Sequence, residues 1–422
     1  MILCWTELKL RSRRSNGMQE NRLVAEGDDA ITGNFRMLLL NAAISRGGTA
    51  AYGVVILWVT FALTHSPVLT GLADGMISLP LFASFLVGAY VDRSGRKKLL
   101  ALVSCIARPA IIGLMFLALY SHNLIVIAAL FFATSILVGF TSDVMNSVRS
   151  VWSKQFLNEQ TYKKGTSLLQ ATTGIAETLG FGIAGAVLVL GFANAFLTLA
   201  LIFFAAFLAI LPIVDKGVQQ TENGTVGESV KEGLSFIWHS RFILEIMLVS
   251  LLANFLFGTV GVGLTALVQR DFNLPASYFG TLLLVLAGAM ILGSVLAMKV
   301  GGSVGRLVTL TMALIGVLLG LVGISPSIFY DYIFMMGIGL IVGVVNVAAS
   351  TLILKKVPES MMARVNGTIN TFGLGMTFIS GTVGGVVIAL TSVRAMMEIV
   401  GVATVIIAVL SLAFRELYRT TI

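Results

Sequence analysis

The sequence predicts an all-α membrane protein with twelve spanning helices in two pseudo-symmetric six-helix halves, and three observations carry that prediction. Of 422 residues, 57% are hydrophobic and only 11% charged, with a mean hydropathy of +0.96. A water-soluble domain carries roughly a quarter charged residues. Apolar runs of spanning length recur twelve times, and one long polar segment, 215–241, follows the sixth of them. Forty-four glycines against seven prolines suit helices whose backbones approach closely in lipid.

A hydrocarbon core about 30 Å thick takes roughly 20 apolar residues per helix. Runs of that kind occupy residues 37–63, 69–91, 99–120, 124–145, 167–190 and 193–214. Six more follow at 242–268, 278–298, 307–324, 330–354, 366–390 and 395–414. The second and third are interrupted by Pro80 and by Arg108-Pro109, breaks that are tolerated where neighbouring helices satisfy the freed backbone groups. The chain thus divides into a polar tail (1–35), a first half (36–214), a linker (215–241), a second half (242–415) and a short C-terminus (416–422). Within the linker, 219–227 reads as connecting chain and 230–238 as a short amphipathic helix on the membrane surface.

Charge sets the direction. An even number of spans puts both termini on one side, and 24 of the 28 lysines and arginines fall there. The opposite loops hold only Arg270 and Arg394, while Arg46 and Arg108 lie inside spans. Basic residues stay cytoplasmic, so both termini are expected inside the cell membrane. This distribution accounts for the net charge of +8 without nucleic acid, since no soluble module is left over to bind one. In the tail, Ser15-Asn16-Gly17 follows Arg13-Arg14 where a secretory signal would place its apolar stretch. The tail therefore reads as a cytoplasmic extension, with Met18 an alternative start. Cys4 and Cys105 make no disulfide framework. His65, His122 and His239 are too isolated for a metal site, and no cofactor is expected.

The loop after the second run reads Gly88-Ala-Tyr-Val-Asp92-Arg93-Ser-Gly95-Arg96-Lys97-Lys98. An ordinary basic loop would explain the final cations but neither the glycine spacing nor the aspartate. The segment resembles the loop signature of the major facilitator superfamily, G-x-x-x-D-R-x-G-R-[KR], in its expected place. Gly302-Ser303-Val304-Gly305-Arg306, after the eighth run, looks like a degenerate second copy, as duplicated halves would give. The resemblance implies a latch on the cytoplasmic side. Asp92 would cap the eleventh helix, which begins near Asn366 after Arg364, and Arg96 would pair with Asp143 on the fourth. Further segments resemble the drug and macrolide efflux branch: Asn41-Ala-Ala-Ile-Ser45-Arg46-Gly47-Gly48, and Val357-Pro358-Glu359 with Arg364-Val365. In the fifth span, Gly174 and Gly180-Phe181-Gly182-Ile183-Ala184-Gly185 approach an antiporter signature but lack its proline. Plain small-residue packing is the other reading of that run.

An ionisable residue inside a membrane span is costly and points to function. Arg46, Arg108 and Glu177 lie about ten residues past the inner ends of the first, third and fifth runs. At ~1.5 Å per residue they share one depth. One reading makes Glu177 the proton-coupling carboxylate, loaded and released as its arginine partners alternate. The other makes it half of a permanent ion pair that fixes packing. Arg46 facing a cavity would instead meet an anionic substrate, and Asp74 suits a gate or rim.

In the superfamily the first, fourth, seventh and tenth helices line a central cavity. Here they offer Tyr52, Trp58, Phe61, Phe140, Asn254, Phe255, Phe257, Met335, Met336 and Asn346, large soft groups suited to lipophilic ligands. The expectation is a monomeric secondary transporter working by alternating access, coupled to protons and exporting lipophilic or amphipathic molecules. A solute importer or uniporter on the same fold is the alternative. No paired catalytic acids, His-x-x-x-His helix or phosphate-binding loop supports an enzyme or an ATP-driven pump.

Overall fold

The computed structural model describes residues 32–215, 235, 238, 240–297, 301–357 and 359–420, and the regular structure among them is helical throughout. Among the described residues, ten helices are long and apolar enough to cross a membrane. Two shorter apolar stretches, Pro67–Ala83 and Gly375–Leu390, belong to the second and eleventh spans. The first span is Gly33–Thr64, opened by Thr32, whose hydroxyl accepts from the Phe35 amide. The second comes in three pieces: Pro67–Ser78, a 3-10 turn at Leu79–Ala83 and Ser84–Arg93. Pro80 lies in that turn, because it has no amide to donate to the preceding turn of helix. The third span, Lys97–Leu119, stays helical through Pro109.

The fourth and fifth spans depart from the apolar pattern. The fourth, Leu124–Phe156, runs on beyond 145, and the fifth, Glu159–Leu188, begins well before 167. Hydropathy marks where a helix leaves lipid, not where its hydrogen-bonded ladder ends. A capping box starts the fifth: the Asn158 side chain accepts from the Thr161 amide and the Thr161 hydroxyl accepts from the Asn158 amide. Such reciprocal capping satisfies otherwise orphaned donors.

The sixth span is Phe192–Ile210 and the seventh Arg241–Ala266, which unwinds into a π turn at Leu267–Asp271. Then follow Ala276–Leu296, Val304–Ile324, Ile328–Lys356, Glu359–Leu390 and Val393–Ser411 as eighth to twelfth. A last short helix, Arg415–Arg419, turns back under the second half, where the Leu417 amide donates to Glu245 Oε2 at 3.0 Å. Of the expected surface helix at 230–238 only Ser235 and Trp238 are described, both helical, and the latch side chains of Asp92 and Arg364 lie outside the described residues.

The spans alternate in direction, so one face carries both the first helix start and the loop at 94–96, and is called the basic face below. Spans one to six pack chiefly on one another, as do seven to twelve. The halves meet along two seams, the second span on the eleventh and the fifth on the eighth. Both seams close by backbone contact. A methyl group added at Gly185 would stand 2.8 Å from the Cα of Gly280, and one at Gly381 only 2.7 Å from the carbonyl oxygen of Gly71. Only glycine permits such approach, which replaces hydrophobic driving force with dense van der Waals contact in lipid.

Core placement shows which way the molecule is closed. One apolar core near the opposite face draws on both halves, joining Trp58, Phe61 and Phe196 to Leu264, Phe279 and Met396. Towards the basic face the core divides. One cluster around Phe35, Met145 and Trp152 belongs to the first half, and another around Ile243, Met312 and Leu352 to the second. The halves therefore share a floor at the opposite face and part towards the basic face.

Candidate functional site

The space between the parted halves is the candidate site, and its two walls differ. On the first-half wall, Arg46 of the first span meets Glu177 of the fifth in a bidentate ion pair. Arg46 Nε lies 3.0 Å from Oε2 and Nη2 lies 2.9 Å from Oε1. Both side chains keep substantial exposure, 47% and 35%, so the pair is reachable. A planar guanidinium fork against a carboxylate fixes orientation as well as charge. Gly47 next to Arg46 and Gly180 near Glu177 bring the two helices together, with Gly180 seated against the Gly47 carbonyl.

Arg108 does not join that pair, contrary to the expectation from depth. It is 1% exposed and donates to the hydroxyls of Ser45, Thr141 (3.3 Å) and Ser142 (3.1 Å), beneath the ring of Phe203 at 5.4 Å. The reason is azimuth: neighbouring residues on a helix point about 100° apart. Ser45 therefore turns to the third span while Arg46 turns to the fifth. Asn41, a turn before, donates to Ala206 O at 2.8 Å, tying the first span to the sixth.

Arg149, which the sequence counts among the cytoplasmic loop cations because it falls where hydropathy fades, lies in the fourth span. It lies seven residues before the end of the fourth span, roughly 10 Å inside the helix. Its Nη1 donates to Asn146 at 2.9 Å, and its buried Nε has no partner. Helix periodicity could have found it, since Ser142, Asn146 and Arg149 recur at i, i+4 and i+7.

Asp143 and Arg96 are also kept apart. Because the fourth span continues to Phe156, Asp143 sits about 20 Å inside it. There it is 4% exposed and accepts from Ser84 Oγ at 2.6 Å. Arg96 stays exposed in the loop. The acid that meets this loop is Asp215, whose Oδ2 accepts from the Lys98 amide at 3.2 Å. Gly88 lies in the basic-face piece of the second span, Arg93 in its last turn, and Gly95 in the exposed loop.

Within the second half, a cavity of about 260 Å³ lies between the seventh, ninth, tenth and twelfth spans, with Val249, Phe257 and Leu352 among its apolar lining. Its polar groups include Asn254 and Asn346. Asn254 donates its amide to Ser250 O at 2.8 Å, and Asn346 is exposed.

The remaining aromatic candidates lie elsewhere. Tyr52 is fully buried, its hydroxyl against Thr134 and Ser135 at 3.2 and 3.1 Å. Trp58 stacks on Phe279 of the eighth span with ring centroids 6.0 Å apart, so it forms part of the shared floor. Phe140 is 47% exposed on the face of its helix turned away from the Thr141 and Ser142 contacts, which points it to lipid. Asp74 is half-buried in the second span beside the glycines of the seam, with no hydrogen bond or ion pair to any described residue. No grouping of three metal-binding side chains occurs among the described residues.

Known proteins supply a context for this geometry. The sequence is 24% identical over 360 residues to the uncharacterized MFS-type transporter YkuC of Bacillus subtilis (strain 168), covering 80% of this chain and 82% of that protein. The fold superposes on the nucleoside transporter NupG with a TM-score of 0.72 at 12% identity, covering 91% of this chain and all of the other. It also superposes on a POT family transporter in complex with 5-aminolevulinic acid, with a TM-score of 0.69 at 12% identity over 92% and 98% of the two chains. At that identity the likeness concerns fold alone. Residues 38–381 match the Major Facilitator Superfamily, and with twelve spans meeting along two glycine seams around a divided cleft, the chain belongs to that family of membrane transporters.

Proposed function

We propose that this transporter exports lipophilic or amphipathic small molecules from the cytoplasm by alternating access, driven by protons, as a monomer in the cell membrane with both termini inside. The observation that carries the reading is a contrast between the halves: the second holds an apolar cavity and the first a reachable ion pair. A cavity lined by aliphatic and aromatic groups, with two amides, takes up varied apolar bodies at little cost in unsatisfied polar groups.

Glu177 is the proposed proton carrier. Its two oxygens are both engaged by Arg46, and breaking that pair is the step proposed to couple it to the transport cycle. Both residues belong to the first half, which rocks as one body, so the pair opens by a local shift of the two side chains. The loop with Gly88, Asp92, Arg93, Gly95 and Arg96 acts with Arg364 as the latch that closes the basic face in the other half of the cycle. Asp143 then belongs to the packing of the second span on the fourth.

Transport in proteoliposomes under an imposed pH gradient tests this. Wild type should move lipophilic dyes against their gradient, and Glu177→Gln should only exchange them, with net uphill transport reduced by at least about tenfold. Insensitivity to pH, or movement of polar solutes in place of dyes, would make the chain an importer or uniporter.

A further inference from the structure

Asp74 is a carboxylate inside a span that the site described above does not use. It stands roughly 10 Å in from the opposite-face end of the second span. Its neighbour Ala73 is fully buried in the core that both halves share. Around the helix axis Asp74 lies roughly 60° from Gly71 and 40° from Ser78. Both of those touch the eleventh span, Gly71 at Gly381 and Ser78 at Thr377. Asp74 is therefore on the side of the second span turned to the other half, at the level where the floor closes. It is half-buried, and no hydrogen bond or ion pair reaches it from any described residue.

The surroundings offer it no countercharge. This part of the second span packs on the first, fourth, seventh and eleventh spans and on its own 3-10 turn. Between Arg46 and the end of the first span, Tyr52 is the one titratable group, and His65 beyond that end is exposed. Tyr52 is within electrostatic reach of Asp74, but its hydroxyl is held by Thr134 and Ser135. Arg46 lies about 9 Å nearer the basic face and is paired with Glu177. The fourth span has no charged residue before Asp143, which is about 10 Å nearer the basic face and bonded to Ser84. The seventh has none between Glu245 and Arg270, the eleventh none after Arg364, and the 3-10 turn none at all. At the opposite face Arg270 is exposed and Asp271 pairs with Arg394.

A carboxylate held in such a place is costly as an anion and far less so with a proton on it. Opening of the floor parts the second and eleventh spans and admits water, which removes most of that cost. Floor position and protonation are then two sides of one equilibrium.

We propose that Asp74 is a proton-binding site for the opposite side of the membrane, protonated while the floor is closed and ionised when it opens. The proposal rests on the exporter reading above and adds a carboxylate separate from Glu177. A proton bound at Asp74 from the opposite side moves inward as the floor closes, which is the direction that export by exchange requires.

Spin-label distances across the opposite face of the full chain in phosphatidylcholine nanodiscs test it. The labels go on His122→Cys and Thr391→Cys, both exposed positions in loops of different halves, with Cys4→Ala and Cys105→Ala. The ratio of open to closed floor should rise with pH, by up to about tenfold per unit, the limit for one linked proton. Asp74→Asn, neutral at every pH, should hold the floor closed and abolish the response. Asp74→Glu should keep a response. A wild-type ratio that ignores pH would overturn the proposal, as would a response that survives Asp74→Asn. The labels need no transported ligand. A pH response that depends on Asp74, with no proton-driven dye transport, would sink the exporter reading and leave the site standing. Proton-driven dye transport undiminished in Asp74→Asn would sink the site and leave the exporter reading standing.

Discussion

Single residues divide here into those that hold the first half together and those that reach the cleft. Tyr52 belongs to the first kind, with its hydroxyl shared between Thr134 and Ser135 at full burial. Tyr52→Phe should lower stability by about 0.5–1.5 kcal/mol, read as a drop in melting temperature, and should leave transport unchanged. A large transport defect at wild-type stability would instead place Tyr52 at the ligand. Sequence could put Arg46, Arg108 and Glu177 at one depth because depth follows from counting residues along a helix. It could not say that Arg108 turns to hydroxyls and Arg46 to a carboxylate, because azimuth depends on which helix is the neighbour. Arg149 was hidden for a related reason: a cation at the fading end of an apolar run looks like a loop residue until the helix is seen to continue past it.

At the scale of elements, the number of spans was legible because lipid imposes a length on each apolar run. The helix ends were less so. The fourth and fifth spans extend beyond lipid on polar residues, joined through Leu157 and Asn158. The glycine run of the fifth span also acquires a physical role. Gly180 admits the first span at Gly47, and Gly185 admits the eighth at Gly280. Gly185→Val should therefore force the fifth and eighth spans apart, costing about 1–3 kcal/mol by overpacking. The transporter would be biased towards opening at the opposite face. Raised labelling of a cysteine placed at Leu284 would report that shift, and unchanged labelling would show that the seam relaxes some other way.

For the whole molecule, the shared floor and divided basic-face core fit one end state of the proposed rocking cycle. Ser78 and Thr377 sit across the seam of the second and eleventh spans with hydroxyls 2.8 Å apart. A Ser78→Cys, Thr377→Cys double variant should cross-link under oxidation, abolish transport and recover it on reduction. Continued transport by the cross-linked protein would mean that this face need not open. The glycine seams add a consequence for speed. Where backbone lies flat on backbone there are no interlocked side chains to withdraw and no buried charges to strip, so the halves can roll past one another like a smooth bearing. Resistance to opening then concentrates where side chains grip across the halves, among them the Trp58–Phe279 stack, the Phe82–Phe378 edge contact and the Ser78–Thr377 hydroxyls. Such contacts set the pace of the turn.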